Sequence, residues 1–214
     1  MTTPTPRTGE WLVCHADFVK KAHAGGFDVL FLGDSITDGW RSTGIASWRK
    51  YFESLKAMNF GIAGDGTQNV LWRITNGELD GCKPRAIVLL IGTNNIPWTF
   101  DGTTSTAVAA QVTEAIKLLI TTIHQRQPQA KILLLSIFPR GEHPNPSRVC
   151  IREVNAKLAA LESDRLHVLD IGSIFMDGDH LPPTMMPDFL HPNAKAYGLW
   201  APAMLPALKA LLAR

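Results

Sequence analysis

The sequence has almost no surplus charge: 21 lysines and arginines face 19 aspartates and glutamates, a formal net charge of +2 at pH 7. With no basic block, it lacks the electrostatic footprint of a partner such as nucleic acid or an anionic membrane. Cysteine is scarce. Cys14, Cys82 and Cys150 are an odd number with no C-x-x-C spacing, which argues against a disulfide framework or a structural zinc site and for buried free thiols. The opening MTTPTPRTGEW has neither the cationic start nor the apolar stretch of a secretory leader. No apolar run approaches the roughly 18 residues of a membrane span, so no integral membrane association is expected. His15, His23, His124, His143, His167 and His180 show no metal-ligand spacing, and Asp177-Gly178-Asp179-His180 reads as a solvated turn. These absences lead to the expectation of a soluble, cytoplasmic chain that needs no metal or other cofactor.

What is present is an ordinary globular composition, 45% hydrophobic, on 214 residues. That length suits one domain over 1–214 with a substantial core, and residues 1–10 read as a flexible tail. Five short apolar runs, Phe27–Leu32, Ala57–Phe60, Ala86–Ile91, Lys131–Ile137 and Leu166–Asp170, alternate with amphipathic stretches. Nearly continuous apolar strings such as DVLFL, AIVLLI and KILLLSI suit strands covered on both faces. Trp48, Tyr51, Phe52 and Leu55 repeat at helical spacing, as do Ile151, Val154, Leu158 and Leu161. Thr103–Gln127, halted by Pro128, predicts a third helix, and about Asn193 to Leu212 a last one. The alternation specifies α/β, a three-layer α/β/α sandwich around a five-stranded parallel sheet, and the order expected for it is the flavodoxin-like 2-1-3-4-5.

Such sheets bind ligands beyond the carboxyl ends of their strands. After the first three runs come Gly33-Asp34-Ser35, Gly61-Ile62-Ala63-Gly64-Asp65-Gly66 and Gly92-Thr93-Asn94-Asn95. The expected strand order puts Gly64, Ser35 and Asn94 side by side. A serine hydroxyl becomes a useful nucleophile when a base takes its proton and a third group fixes that base. Asp188-Phe189-Leu190-His191-Pro192 offers both partners in one short loop. The N–H groups of Ser35 and Gly64 and the amide of Asn94 could serve a developing oxyanion. Each feature alone has a plainer reading. A serine in a strand-to-helix turn is ordinarily an N-cap, the glycine-rich turn could hold phosphate or nothing, and Asn94 or Asn95 could satisfy turn backbone. Their conjunction at strand tips is what points to acyl transfer. Trp98 in IPWTF and Arg140 at the fourth tip are candidate substrate contacts, against packing and a surface salt bridge. A nucleotide- or flavin-binding module remains open on this architecture.

The blocks GDSITDGW, NFGIAGDGTQNVLWRI, IGTNN and DFLHPNAKAYG resemble those of the SGNH (GDSL) hydrolase superfamily, from about Trp11 to Leu205. NFGIAGDGTQNVLWRITNGELDG and FPRGEHPNPSR are most similar to the platelet-activating-factor acetylhydrolase branch and its bacterial esterase relatives. The resemblance implies a metal-independent serine esterase with Ser35 as nucleophile, His191 as base and Asp188 as its orienting carboxylate. Ser35, Gly64 and Asn94 would form the oxyanion hole. It also implies pairing into a homodimer, which leaves a non-catalytic dimerising scaffold as another alternative. Many members have G-x-N-D where this chain has Gly92-Thr93-Asn94-Asn95, which puts the contact after the oxyanion Asn in question. The expected substrate is a short-chain, acetyl-type ester of a carbohydrate or other small polar alcohol, with a phospholipid acetyl ester or lysophospholipid as the alternative.

Overall fold

The computed structural model describes residues 1–213. Its five strands are β1 (Val29–Gly33), β2 (Ala57–Gly61), β3 (Ala86–Leu90), β4 (Lys131–Leu135) and β5 (Leu166–Leu169). All pair in parallel, in the order β2-β1-β3-β4-β5. The expected sheet is therefore the observed one. Alternate residues of each strand enter opposite layers, as the period of two requires. Leu30 and Leu32 join the helices α1 (Glu10–Ala24), α4 (Thr67–Thr75), α5 (Ser105–Arg126) and α6 (Pro146–Ala159), whereas Val29 and Phe31 face α3 (Ile45–Tyr51) and α7 (Ala194–Ala213). Trp40, Tyr197 and Trp200 fill this second layer, with the Trp40 ring centroid 4.5 Å from that of Tyr197 and 4.7 Å from that of Trp200.

Two of the longer helices, α1 and α4, have no counterpart in the expected pattern, and both carry polar residues on their buried face. Along α1 the inner positions are Trp11, His15, Phe18 and Ala22. Along α4, Asn69 and Arg73 are buried with Val70, Leu71 and Ile74. A polar residue at an inner position breaks the apolar stripe by which such a helix is read. Helices α5 and α7 are in fact long and apolar enough, by length and composition, to cross a bilayer. Their apolar residues instead pack on the sheet, Val112, Ile116, Leu119 and Ile123 on one face and Tyr197, Trp200, Met204 and Leu208 on the other. Cys82 and Cys150 are buried free thiols, each pushed up to about 11 by burial, while Cys14 is half-buried.

Register aligns the strand ends that matter. Gly33 pairs with Gly61 on one side and Leu90 on the other, so three connecting loops start at one level. Arg73, fully buried, ties the first two of these strand ends together. Its guanidinium donates to the carbonyls of Gly33 (3.2 Å) and Phe60 (2.9 Å) at the ends of β1 and β2. It also pairs with Asp65 at 2.8 Å and with Glu78 at 2.5 Å, both fully buried. Asp65 takes a further bond from Trp11 Nε1 at 2.7 Å, and Glu78 one with His15 Nδ1 at 2.9 Å. Removing one partner of a buried pair strands the others, at ~3–5 kcal/mol. Arg73→Met should lower unfolding free energy by that order in urea titration. A loss below about 1 kcal/mol, the range of surface pairs, would show that the network does not hold the strand ends.

Candidate active site

Ser35 opens the short helix α2 (Ser35–Asp38) directly after β1. The N-cap of that helix is Asp34, whose Oδ1 accepts from the Ile36 N–H at 2.9 Å. The capping role that a lone serine might have filled thus belongs to its neighbour, and the Ser35 hydroxyl is left for another partner. Close packing dictates the glycine before it: a Cβ on Gly33 would lie 2.1 Å from Thr37 Oγ1 and 2.4 Å from the Leu90 carbonyl. Tyr197 of α7 secures the turn from the other layer by donating its hydroxyl to the Ile36 carbonyl at 2.7 Å.

The partner is His191. Its Nε2 lies 2.9 Å from Ser35 Oγ, across 156 positions of chain. Its Nδ1 lies 2.6 Å from Asp188 Oδ2. The three-residue spacing works because one carboxylate does two jobs. Oδ1 of Asp188 accepts from the N–H groups of Leu190 (3.1 Å) and His191 (2.8 Å), closing the loop, while Oδ2 receives the ring. The tight turn holds Phe189 at φ +58°, a left-handed conformation uncommon for a non-glycine residue. It is secured by the Gly141 N–H donating to the Phe189 carbonyl at 2.8 Å. With the Nδ1 proton directed at Asp188, Nε2 presents its lone pair to the serine O–H. Partial burial pushes the Asp188 carboxyl up, but the hydrogen bonds from the His191 ring and backbone outweigh it and hold the group below the usual carboxylate range.

The neighbouring tips carry Gly64 and Asn94, both exposed. Gly64 sits at φ +80°, a conformation that favours glycine. One amide hydrogen of Asn94 goes to the Asp65 carbonyl at 2.9 Å, which fixes the side chain and leaves the second hydrogen. Asn95 is used elsewhere: its Oδ1 accepts from the Thr67 N–H at 2.9 Å and its Nδ2 donates to Gln68 at 2.9 Å. Asp65, Arg73 and Trp11, which no local motif singles out, organise this region. Their signal was a charged residue, Arg73, at an inward position among Val70, Leu71 and Ile74 of α4.

Arg140 requires a correction. It is neither a surface salt bridge nor placed to meet substrate, being only 2% exposed. Its guanidinium donates to the carbonyls of Thr93 (2.9 Å), Ile96 (2.6 Å) and Pro97 (2.9 Å) and to Ser147 Oγ (3.2 Å). It therefore anchors the loop that follows β3, and it stacks 4.2 Å from the centroid of Trp98. Arg148 does the same for the next loop, gathering the carbonyls of Arg140, Gly141, Glu142 and Asp179. Trp98 itself is half-exposed, at 53%. Trp40 is core, and Trp72 packs beside Trp11 and His15. Among the described residues no group of three His, Cys, Asp or Glu side chains could hold a metal ion. A cavity of about 750 Å³ lies at the opposite, amino-terminal ends of β3 and β4, lined by Asp80, Lys83, Arg85, Arg126 and Lys131 among others, away from Ser35.

A serine, an imidazole and a carboxylate bonded in series beside a parallel-sheet edge is the constellation of a serine hydrolase. The comparisons agree. Residues 31–199 match the model of the GDSL-like lipase/acylhydrolase family. Human platelet-activating factor acetylhydrolase IB subunit alpha1 is 38% identical over 209 residues, covering 96% of this chain and 86% of that protein. The alpha2 subunit from Gallus gallus is 42% identical over 191 residues, 87% of this chain and 78% of the relative. A structure described as a putative platelet activating factor from Streptococcus pneumonia superposes with a TM-score of 0.73 at 20% identity, covering 92% of each chain. An acetylxylan esterase from Geobacillus stearothermophilus does so at 0.64 and 18%, covering 87% of this chain and 95% of that one. These two superpositions speak to the fold alone. The chain belongs to the GDSL-like lipase/acylhydrolase family, and it is a carboxylic ester hydrolase.

Next to Ser35, the Asp34 carboxyl is 1% exposed, and its Oδ2 has no hydrogen-bond partner among the described residues. Burial pushes it up to about 7, helped by the nearby Asp65 and opposed by the Ile36 N–H and His191. Between pH ~4 and ~7 the folded chain thus keeps a proton that the unfolded chain has lost. The contribution to stability is complete below the unfolded value and declines as pH rises to the folded one, by on the order of 4 kcal/mol across the window. Asp34→Asn should flatten this decline when urea midpoints are compared from pH 5 to pH 8. An unchanged slope would mean that Asp34 titrates normally.

Proposed function

We propose that the enzyme hydrolyses acetyl and other short-chain esters through an acyl-Ser35 intermediate. The observation that carries this reading is the hydrogen-bonded series from Ser35 Oγ through His191 to Asp188, at 2.9 and 2.6 Å. His191 Nε2 takes the hydroxyl proton as Ser35 Oγ bonds to the ester carbonyl carbon. The N–H groups of Ser35 and Gly64 and the remaining amide hydrogen of Asn94 receive the negative oxygen. Collapse breaks the bond to the alcohol oxygen, which leaves with the proton from His191. Water then loses a proton to His191 and attacks the acyl carbon, and Ser35 recovers its proton as the carboxylic acid departs. Asp188 stays ionised and keeps the imidazole in the required tautomer.

For the leaving alcohol, the names of the relatives favour an acetylated glycerophospholipid of the platelet-activating-factor type. A small polar alcohol is kept as the second reading because the reacting groups lie open, His191 and Asp188 side chains being 44% and 56% exposed. Rates on p-nitrophenyl esters of increasing acyl length, then on an acetylated glycerophosphocholine and an acetylated xylo-oligosaccharide, separate the two. Faster turnover of the phospholipid is expected, and a preference for long acyl chains would defeat the acetyl reading.

Two sets of variants test the roles. Ser35→Ala should abolish turnover while the protein stays folded, and a fluorophosphonate should label Ser35 in the wild type. Label on another serine would reassign the nucleophile. Asn94→Ala should lower kcat by about 10²–10³ with little change in KM, as for loss of one oxyanion donor. Asn95→Ala, whose amide is used on Thr67 and Gln68, should affect kcat far less. The reverse ranking would place the donor one residue later.

A further inference from the structure

The residues before α1, expected as a tail, lie along the loop that carries Gly64. The Thr5 N–H donates to the Gln68 carbonyl at 3.1 Å, and Asn69 Nδ2 donates to the Thr5 carbonyl at 2.9 Å. This brings Arg7 over the loop. Its Nη1 donates to the Ala63 carbonyl at 2.7 Å and approaches Asp65 Oδ1 at 3.2 Å. A Cβ built on Gly64 would lie 3.1, 3.3 and 3.5 Å from Nη1, Nη2 and Cζ of Arg7, so the guanidinium packs tightly against the face from which a side chain would project.

We infer that Arg7 is a positioning residue of the oxyanion hole, acting through the peptide that joins Ala63 to Gly64. The inference rests on the reading of Gly64 N–H as an oxyanion donor. The carbonyl that Arg7 binds and that N–H belong to the same peptide unit. The unit is planar and trans, so its C=O and N–H point in opposite directions. Holding the carbonyl from one side therefore fixes the direction of the N–H on the other. A cation on the carbonyl oxygen also polarises the amide and strengthens its N–H as a donor, as bonds in a chain strengthen one another. The ion pair to Asp65 adds little by itself, since the Arg7 side chain is 42% exposed and Asp65 is already held by Trp11 and Arg73. What Arg7 holds, with no other donor to it among the described residues, is the Ala63 carbonyl. Glycine at position 64 then serves two ends: it accepts φ +80°, and it leaves room for the guanidinium.

The test uses the full chain and p-nitrophenyl acetate. Arg7→Ala should reduce kcat about tenfold, a fraction of the 10²–10³ for loss of a direct donor, with KM and the unfolding midpoint unchanged. Arg7→Lys, which keeps a charged donor, should recover part of that loss. Independently of turnover, the amide proton of Gly64, followed by NMR, should move upfield in Arg7→Ala as its donor strength falls. Unchanged kcat together with an unmoved Gly64 resonance overturns the proposal. A raised KM at constant kcat also overturns it, because Arg7 would then be a substrate contact. A moved resonance at constant kcat overturns it through its premise: Arg7 would position the peptide, and Gly64 would not belong to the oxyanion hole.

Discussion

The buried guanidinium of Arg73 is the interaction on which the active edge of the sheet depends. Strand tips have carbonyls that no further strand residue can satisfy, and a buried unsatisfied carbonyl is expensive. Arg73 donates to two such carbonyls, that of Phe60 and that of Gly33, which also accepts from the Ile62 N–H at 3.2 Å, and does so from a helix that begins after the second tip. Because the same group is paired with Asp65 and Glu78, its own charge is compensated inside the protein. Asp65 carries the constraint outward. Its carboxylate is held by Arg73 and Trp11, and its backbone carbonyl holds the Asn94 side chain. The position of Asn94 at the third tip is thereby tied to the packing beneath the first two.

The other half of the site follows a different logic. The loop from Asp188 to His191 is not braced by a buried charge but by a carboxylate that is itself half in water. Order comes from geometry: three hydrogen bonds among Asp188, Leu190 and His191, a fourth from His191 to Ser35 and one left-handed residue leave the imidazole few alternatives. The serine, by contrast, is presented by a rigid strand end. A fixed hydroxyl meeting a base on a locally braced loop divides the precision between strand packing and loop chemistry.

Arginine plays three unlike roles within this small region. Arg73 compensates buried carboxylates, Arg140 and Arg148 gather loop carbonyls, and Arg7 lies half-exposed over Gly64. The planar fork with five donors suits all three, because several acceptors in different directions can be met by one side chain. In FPRGEHPNPSR both arginines act on backbone, so this motif specifies loop shape around the site rather than contact with a ligand.

The layered parallel fold is legible in the sequence, and so are Ser35, Asp188 and His191 as the side chains that the folded chain brings together. Strands buried on both faces leave apolar runs that need no partner to be recognised, and D-x-x-H is a local device whose parts lie in one turn. The sequence could not determine which way a polar side chain faces once the chain is folded. Arg140 sits beside a strand tip whether it points to solvent or to the carbonyl of Thr93, 47 residues away. Arg7 looked like part of a tail because its acceptors, Ala63 and Asp65, lie 56 and 58 positions on. Helices α1 and α4 carry no clean apolar stripe for the same reason: His15, Asn69 and Arg73 occupy inner positions and meet Glu78, Gly66 and Asp65 in the folded chain. Tertiary structure decided these points, since a buried polar group is stable only beside partners that chain folding alone brings within hydrogen-bond distance.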